Sequence, residues 1–439
     1  MDTPDAPLRL LLVAHGYPPR EAAGTEQHVA LLARELHAQG HRVEVLAATR
    51  DPARRQYASW TEADPEGFPV HRLVDNLPAR ALAQAERDRA VEAVARRVEA
   101  RLQPHLVHLH HLQFLSSGLR FACPTVLTLH DQWLWCAAGG LGLLPDGAAC
   151  PGPTPDRCAP CAAAWQPVPR PAARLLLSTA GRLAGRVPPA ALHGALRWLP
   201  SPVRRQLQAP IRGRPAEPAA AAAARNAALA ALARSCALRL APSQHLATLA
   251  TAQGLGPVEV LGNGVPAGGP RAAEARDGPF LFLGTIAAHK GPDLVLRAWQ
   301  RAFPAGQPAL RMHGPVQYPG LVPAARLGGP LDRAGVAQAL AGARALVLGS
   351  RWPENAPLVV LEARAAGCPV VAPACGGLPE LVQEGVDGWL YPPGDEAALA
   401  RILQRVVTAP LSRPPRPPPT ARDQARALLR HYRRVLGQA

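Results

Sequence analysis

Short apolar runs alternate with stretches of helical periodicity twice along these 439 residues, once on each side of a glycine- and proline-rich segment at 262–278. This doubled alternation restricts the fold more than any other feature, because a strand that is apolar along its whole length belongs in a parallel sheet covered on both faces. Before the segment, strands are predicted over 8–14, 42–47, 106–110, 125–129, 238–241 and 258–261. An amphipathic helix over 26–37, ended by Gly40, and an alanine-rich helix over 218–233 accompany them. After the segment, strands over 280–283, 310–313, 345–348 and 369–372 alternate with helices over 293–302, 335–341 and 358–366. The chain is longer than one core sustains. The expected architecture is α/β, with two Rossmann-like domains, 1–266 and 267–409, facing across a cleft, then a proline-rich spacer and final helix in 410–439.

In open parallel sheets ligands lie outside the carboxyl ends of the strands. Two N-terminal strands end in histidine, which makes His110 and His130 candidate site residues and leaves His105 and His108 out.

Of the 48 basic residues only Lys290 is a lysine, in a composition rich in Ala, Gly, Pro and Arg. An ammonium is a compact, strongly hydrated point charge that a guanidinium fork does not replace. The formal charge of +16 invites a nucleic-acid reading, but 6 Phe and 5 Tyr with no stacking motif speak against it. Much of the charge is local: 157–216, which includes an insertion over 162–216, holds ten arginines and no acid. Two readings stay open for it, a basic amphipathic strip lying on an anionic bilayer and a set of solvated lid helices. The acidic opening residues lack a signal-peptide pattern and no apolar run reaches membrane-spanning length, so the expected location is cytoplasmic, with peripheral contact at the inner membrane face under the first reading.

Residues 350–380 carry Glu354 and Glu362 eight apart in Ser-Arg-Trp-Pro-Glu-Asn-Ala-Pro-Leu-Val-Val-Leu-Glu, followed by Gly-Cys-Pro-Val-Val and Gly-Gly-Leu-Pro-Glu. This stretch, with 384–395, resembles the donor-site signature of the retaining glycosyltransferases of family 4, which have the GT-B fold. Residues 282–291 resemble that family's Gly-x-x-x-x-x-Lys-Gly phosphate loop, and Pro242-Ser243, 262–265 and Pro18-Pro19 through Gly24-x-Glu26 also fit.

The resemblance implies transfer of a sugar from a nucleotide-diphosphate donor to a carbohydrate, lipid-linked or small-molecule acceptor, with no catalytic cofactor. It implies that Lys290 holds the leaving diphosphate, Glu362 the ribose hydroxyls and Glu354 the transferred sugar. The backbone at Asn355, Ala356, Pro357 and Leu358 would meet donor oxygens, Gly24 would let the opposite domain approach the diphosphate, and His130 would serve the acceptor. Three departures stand out. Thr285 replaces an arginine common in the family, which leaves more phosphate work to Lys290, with His289 and Arg351 as candidate helpers. Asn355-Ala356-Pro357 replaces Gly-Phe-Gly, and Ala23-Gly24 replaces a glycine pair. An epimerase or hydrolase on the same architecture, or a scaffold that binds nucleotide sugar without turnover, are the competing readings.

Independently, Cys136, Cys150, Cys158 and Cys161 follow one another as C-x13-C-x7-C-x2-C. In a cytosolic chain this reads as a structural tetrahedral zinc site, against scattered thiols or a redox pair. Cys123, Cys236, Cys368 and Cys375 read as packing residues.

Overall fold

The apolar run near the start forms β1 (Arg9–Ala14), buried from Leu10 onward. The computed structural model describes residues 6–51, 53–76, 87–165, 218–267, 277–409, 411 and 414–438. The N-terminal lobe continues with α1 (Gly24–Ala38), β2 (Arg42–Thr49), β3 (Ser59–Ala63), β4 (Pro69–Val74), α2 (Arg89–Leu102), β5 (Leu106–Leu109) and β6 (Thr125–Thr128). Then follow α3 (Pro155–Trp165), α4 (Ala219–Ser235), β7 (Leu238–Ala241), α5 (Gln244–Ala252) and β8 (Glu259–Val260). Their sheet has the order β3-β4-β2-β1-β5-β6-β7-β8. It is parallel except at the edge, where β3 runs antiparallel to β4.

Alternate side chains of β1 enter different cores, as a pleated strand dictates. Leu11 and Val13 pack with Val91 and Val98 of α2 and Leu229 and Leu232 of α4. Leu10 and Leu12 pack on the other face with Val29, Leu32 and Leu36 of α1. The apolar-run reading does not anticipate β3, β4 or α2. In β3, Ser-Trp-Thr-Glu-Ala, no side chain is buried, which suits a charged edge strand and hides it from a search for apolar runs.

The C-terminal lobe contains β9 (Phe280–Leu283), α6 (Pro292–Ala302), β10 (Leu310–His313), α7 (Arg333–Ala341), β11 (Ala345–Val347), α8 (Leu358–Ala365) and β12 (Val370–Pro373). It closes with α9 (Leu378–Leu381), β13 (Gly388–Tyr391) and α10 (Glu396–Thr408). Its sheet, β10-β9-β11-β12-β13, is parallel throughout.

The final helix, α11 (Ala421–Val435), crosses back to the first lobe. A Thr420–Asp423 capping box starts it. Ala425, Leu428, Leu429 and Tyr432 complete the core between α1 and β1, and Tyr432 Oη lies 2.6 Å from His108 Nδ1. The crossing is a second interlobe connection beside 262–265, to which it is bonded: Ala421 donates its N–H to Val265 O at 2.7 Å.

Of the basic stretch 157–216, only 157–165 falls within the described residues. Among the described residues, no helix is long and apolar enough to cross a membrane.

Candidate functional site

The carboxyl ends of strands from both sheets open on one interlobe cleft of about 900 Å³. The lobes touch across it. Asn355 donates its side-chain amide to His130 O at 3.0 Å, Asn263 donates to Ala356 O at 3.1 Å, and Glu380 accepts from the N–H groups of Gln244 and His245, each at 2.7 Å.

On the C-terminal wall, Lys290 ends a single 3-10 turn, Ala288–Lys290, after β9. Gly291 has φ 60°, and a Cβ there would collide with the Gly349 carbonyl, so the lysine loop is pressed against the end of β11 and needs glycine. Lys290 Nζ lies 2.7 Å from Glu354 Oε1 and 4.6 Å from the centre of the Trp352 ring. Ser350 donates its hydroxyl to the same carboxylate oxygen at 2.8 Å. Burial opposes ionisation of Glu354, but the Lys290 charge and these hydrogen bonds outweigh it and hold the pKa below the ordinary value. Behind it, Gly376 (φ 61°) packs so closely on the Glu354 backbone that any side chain would clash, which gives the Gly-Gly pair of 376–377 its reason.

One turn of chain further, Asn355, Ala356, Pro357 and Leu358 line the cleft as the loop enters α8, and Glu362 faces it from within that helix. Burial raises the Glu362 pKa, partly offset by the Arg333 guanidinium. Thr285 lines the cleft after β9.

The two candidate helpers of Lys290 part ways. Arg351 is turned out of the cleft: it forms two hydrogen bonds with Asp293, at 2.6 and 2.8 Å, and one with Ala288 O, because Asp293 at the start of α6 offers a nearer fixed carboxylate. His289 does line the cleft, but burial and then the neighbouring Lys290 charge lower its pKa to about 4, so it adds no cation. Instead Arg333, at the first position of α7, lines the cleft near Glu362. Nothing in its local sequence marked it out.

On the N-terminal wall, Gly24 opens α1 onto the cleft, and a Cβ there would meet nothing within 4 Å beyond its chain neighbours and its own helix backbone, so the space before it is free for a ligand. His130 lines the cleft, whereas His110 lies behind it, its Nδ1 3.2 Å from His130 Nε2. Burial, reinforced by the neighbouring imidazoles, holds both well below the usual histidine pKa, which makes them neutral hydrogen-bonding groups. His28, from α1, joins them with a pKa lowered by burial to about 4. His15 Nε2 is 3.1 Å from Glu26 Oε1, and Asp131 completes this wall. The sequence reading passed over His15, although it directly follows β1 and so meets the strand-end rule that selected His110 and His130.

Beyond this wall, Cys136, Cys150, Cys158 and Cys161 all line a second cavity, of about 30 Å³. No disulfide joins them. Among the described residues, the three metal-ligating atoms lying within 4.8 Å of one another belong to His28, His110 and His130, so the four sulfurs ring their cavity without converging on a point.

Residues 22–149 match the family described as Glycosyltransferase Family 4 and residues 278–409 that described as Glycosyl transferases group 1. A 53-residue stretch is 49% identical to the amylovoran biosynthesis glycosyltransferase AmsK of Erwinia amylovora, covering 12% of this chain and 13% of that protein. A 151-residue stretch is 36% identical to the D-inositol 3-phosphate glycosyltransferase of Streptomyces griseus, covering 30% and 32% respectively. The matched stretches thus span at most about a third of these relatives. Over nearly the whole chain the fold is that of sucrose-phosphate synthase from Thermosynechococcus elongatus (TM-score 0.57, 16% identity, 98% of this chain and 96% of that one). The same holds for Anabaena HepE solved with UDP and glucose (TM-score 0.54, 16% identity, 98% of each chain). This is the GT-B arrangement.

Proposed function

The chain belongs to the family 4 type of glycosyltransferases, and on that premise we propose that it moves a sugar, with retention, from a nucleotide-diphosphate sugar to an acceptor hydroxyl. The observation that carries the reading is the Lys290–Glu354 pair on one wall of the cleft, opposite the open approach at Gly24. As the bond between the anomeric carbon and the diphosphate oxygen breaks, negative charge grows on the leaving group. A fixed ammonium at that place lowers the barrier. Donor binding beforehand turns Lys290 from Glu354 to the phosphates, and the freed Glu354 carboxylate accepts hydrogen bonds from the sugar hydroxyls. The acceptor oxygen bonds to the same face of the anomeric carbon, and its proton passes to the departing phosphate oxygen.

Glu362 accepts from the ribose hydroxyls, and its raised pKa suits a carboxyl that gains these donors only when the nucleotide arrives. Neutral His130, held at its backbone by Asn355, orients the acceptor. Uridine diphosphate sugars are the donors to try first, because HepE was solved with UDP-glucose. A lipid-linked acceptor fits the basic stretch 157–216, which would hold the protein at an anionic surface of the inner membrane face.

Thermal-shift measurements with UDP, GDP, ADP and their sugars test the donor site, and transfer to a panel of sugars, small alcohols and extracted lipids in anionic vesicles tests the reaction. No rise in melting temperature with any nucleotide defeats the donor site. Binding with only hydrolysis, or with no turnover, defeats the transfer.

A further inference from the structure

The loop between β6 and α3 is built around its cysteines. Cys158 and Cys161, three apart on α3, share one helical face. Cys136 is placed by its N–H donating to Gln132 O at 2.7 Å, and Cys150 by donating to Gly142 O at 2.9 Å. The cavity they ring, about 30 Å³, is large enough to hold a water-sized occupant. Room for one small ion among four thiols is a different matter from four scattered packing residues.

A second observation concerns charge. Arg225 of α4 is 2% exposed. Its guanidinium lies 4.6 Å over the Trp133 ring and donates only to neutral oxygens, Trp133 O at 2.7 Å and Asn226 Oδ1 at 2.8 Å. The charged or chargeable groups within its electrostatic reach are Cys136, Asp131 and Cys158. Burying a cation is costly unless anions lie near it. Asp131 is one, and four thiolates around a divalent ion carry net negative charge and would add a second.

A third observation ties the loop to the cleft. Gly140 and Gly142 have φ of 84° and 61°, and side chains there would collide with Asp131 and Gln132 respectively. The loop is folded directly onto the residues that follow His130. Asp131 in turn accepts from Trp133 N at 2.8 Å and sits 3.3 Å from His111 Nε2.

We propose that Cys136, Cys150, Cys158 and Cys161 bind one zinc ion as four thiolates, and that this metal positions Asp131 and His130 on the acceptor wall of the cleft. The four sulfurs close the tetrahedral shell, so the ion is structural and takes no part in the reaction. Binding draws the sulfurs inward to the metal and releases their protons to solvent. The metal site stands apart from the proposed sugar transfer; only its effect on the acceptor rests on that reading.

Protein purified without chelator should contain about one zinc per chain. Replacing zinc with cobalt should give the visible absorption of a tetrahedral thiolate site, absent from the Cys158→Ser/Cys161→Ser variant. That variant, or wild-type protein stripped of metal by a mercurial if the variant fails to fold, should lose acceptor kcat/KM by roughly 10- to 100-fold while the donor thermal shift persists. Zinc added back should restore the stripped protein. Metal-free protein with four titrating thiols and no cobalt spectrum would overturn the site. A metal-depleted protein with unchanged acceptor kinetics would overturn the positioning role, and absence of a donor thermal shift in metal-replete wild type would count against the sugar-transfer reading alone.

Discussion

Lys290 Nζ stands 2.7 Å from Glu354 Oε1, joining two residues 64 apart in the chain into an ion pair whose carboxylate is nearly buried and whose ammonium still reaches the cleft. The chain's one lysine is therefore tied to the same glutamate that the family resemblance assigns to the transferred sugar. Under the proposed function, the pair stores the ammonium where a diphosphate would need it.

Lys290→Ala is expected to lower kcat by about 100- to 1000-fold, the usual loss when a fixed electrostatic stabiliser is removed. It also strands Glu354. Breaking a buried pair from one side costs about 3 kcal/mol, less where one partner is partly exposed as Lys290 is. Adding Glu354→Gln should recover much of that stability in urea unfolding without recovering turnover. Near wild-type turnover in Lys290→Ala would remove the lysine from the mechanism.

Glu354 and Glu362 should shape the pH dependence of stability in opposite directions. Glu354, with its pKa lowered in the fold, contributes stability that is complete above the ordinary carboxylate value of 4.5 and is lost as pH falls through the lowered one. Glu362, with its pKa raised, favours folding in its protonated form; that contribution is complete below 4.5 and is lost as pH rises through the raised value. Glu362→Gln should then raise the urea midpoint at neutral pH while weakening the thermal shift given by nucleotides. Glu354→Gln should lower the midpoint. Equal effects of both variants at acid and neutral pH would contradict these assignments.

Tyr432→Phe removes the partner of His108 Nδ1 inside the first lobe. An unsatisfied buried nitrogen costs about 1–3 kcal/mol. Chemical unfolding should show that loss, with donor binding unchanged, and removal of residues 421–439 should be far more damaging because it uncovers the α1 face of the core. A stable truncated chain would show that α11 is an accessory.

Much of the architecture was legible because it depends on near neighbours in the chain. Apolar runs such as Phe280–Leu283 and Leu310–His313 appear as strands at the positions their composition predicts. Lys290, Glu354 and Glu362 could be singled out because the stretches that carry them resemble a known family's donor site, and the structure adds a steric reason for two glycines of those stretches, Gly291 and Gly376. By contrast β3 was hidden, since an exposed edge strand needs no apolar pattern. Arg333 was hidden among 47 arginines, because nothing in its immediate neighbours marks it.

The sequence by itself determined the alternation of strands and helices and the two-lobed α/β plan, because periodicity and turn chemistry act over a few residues, while the segments that supply the cleft were marked chiefly by their resemblance to a known family. Only the tertiary structure decided which charges meet. It paired Lys290 with Glu354, sent Arg351 to Asp293, brought Arg333 beside Glu362 and returned α11 to the lobe where the chain began. Those outcomes depend on how two sheets face each other and on the competition among nearby partners for each buried charge, and neither is written in any one stretch of residues.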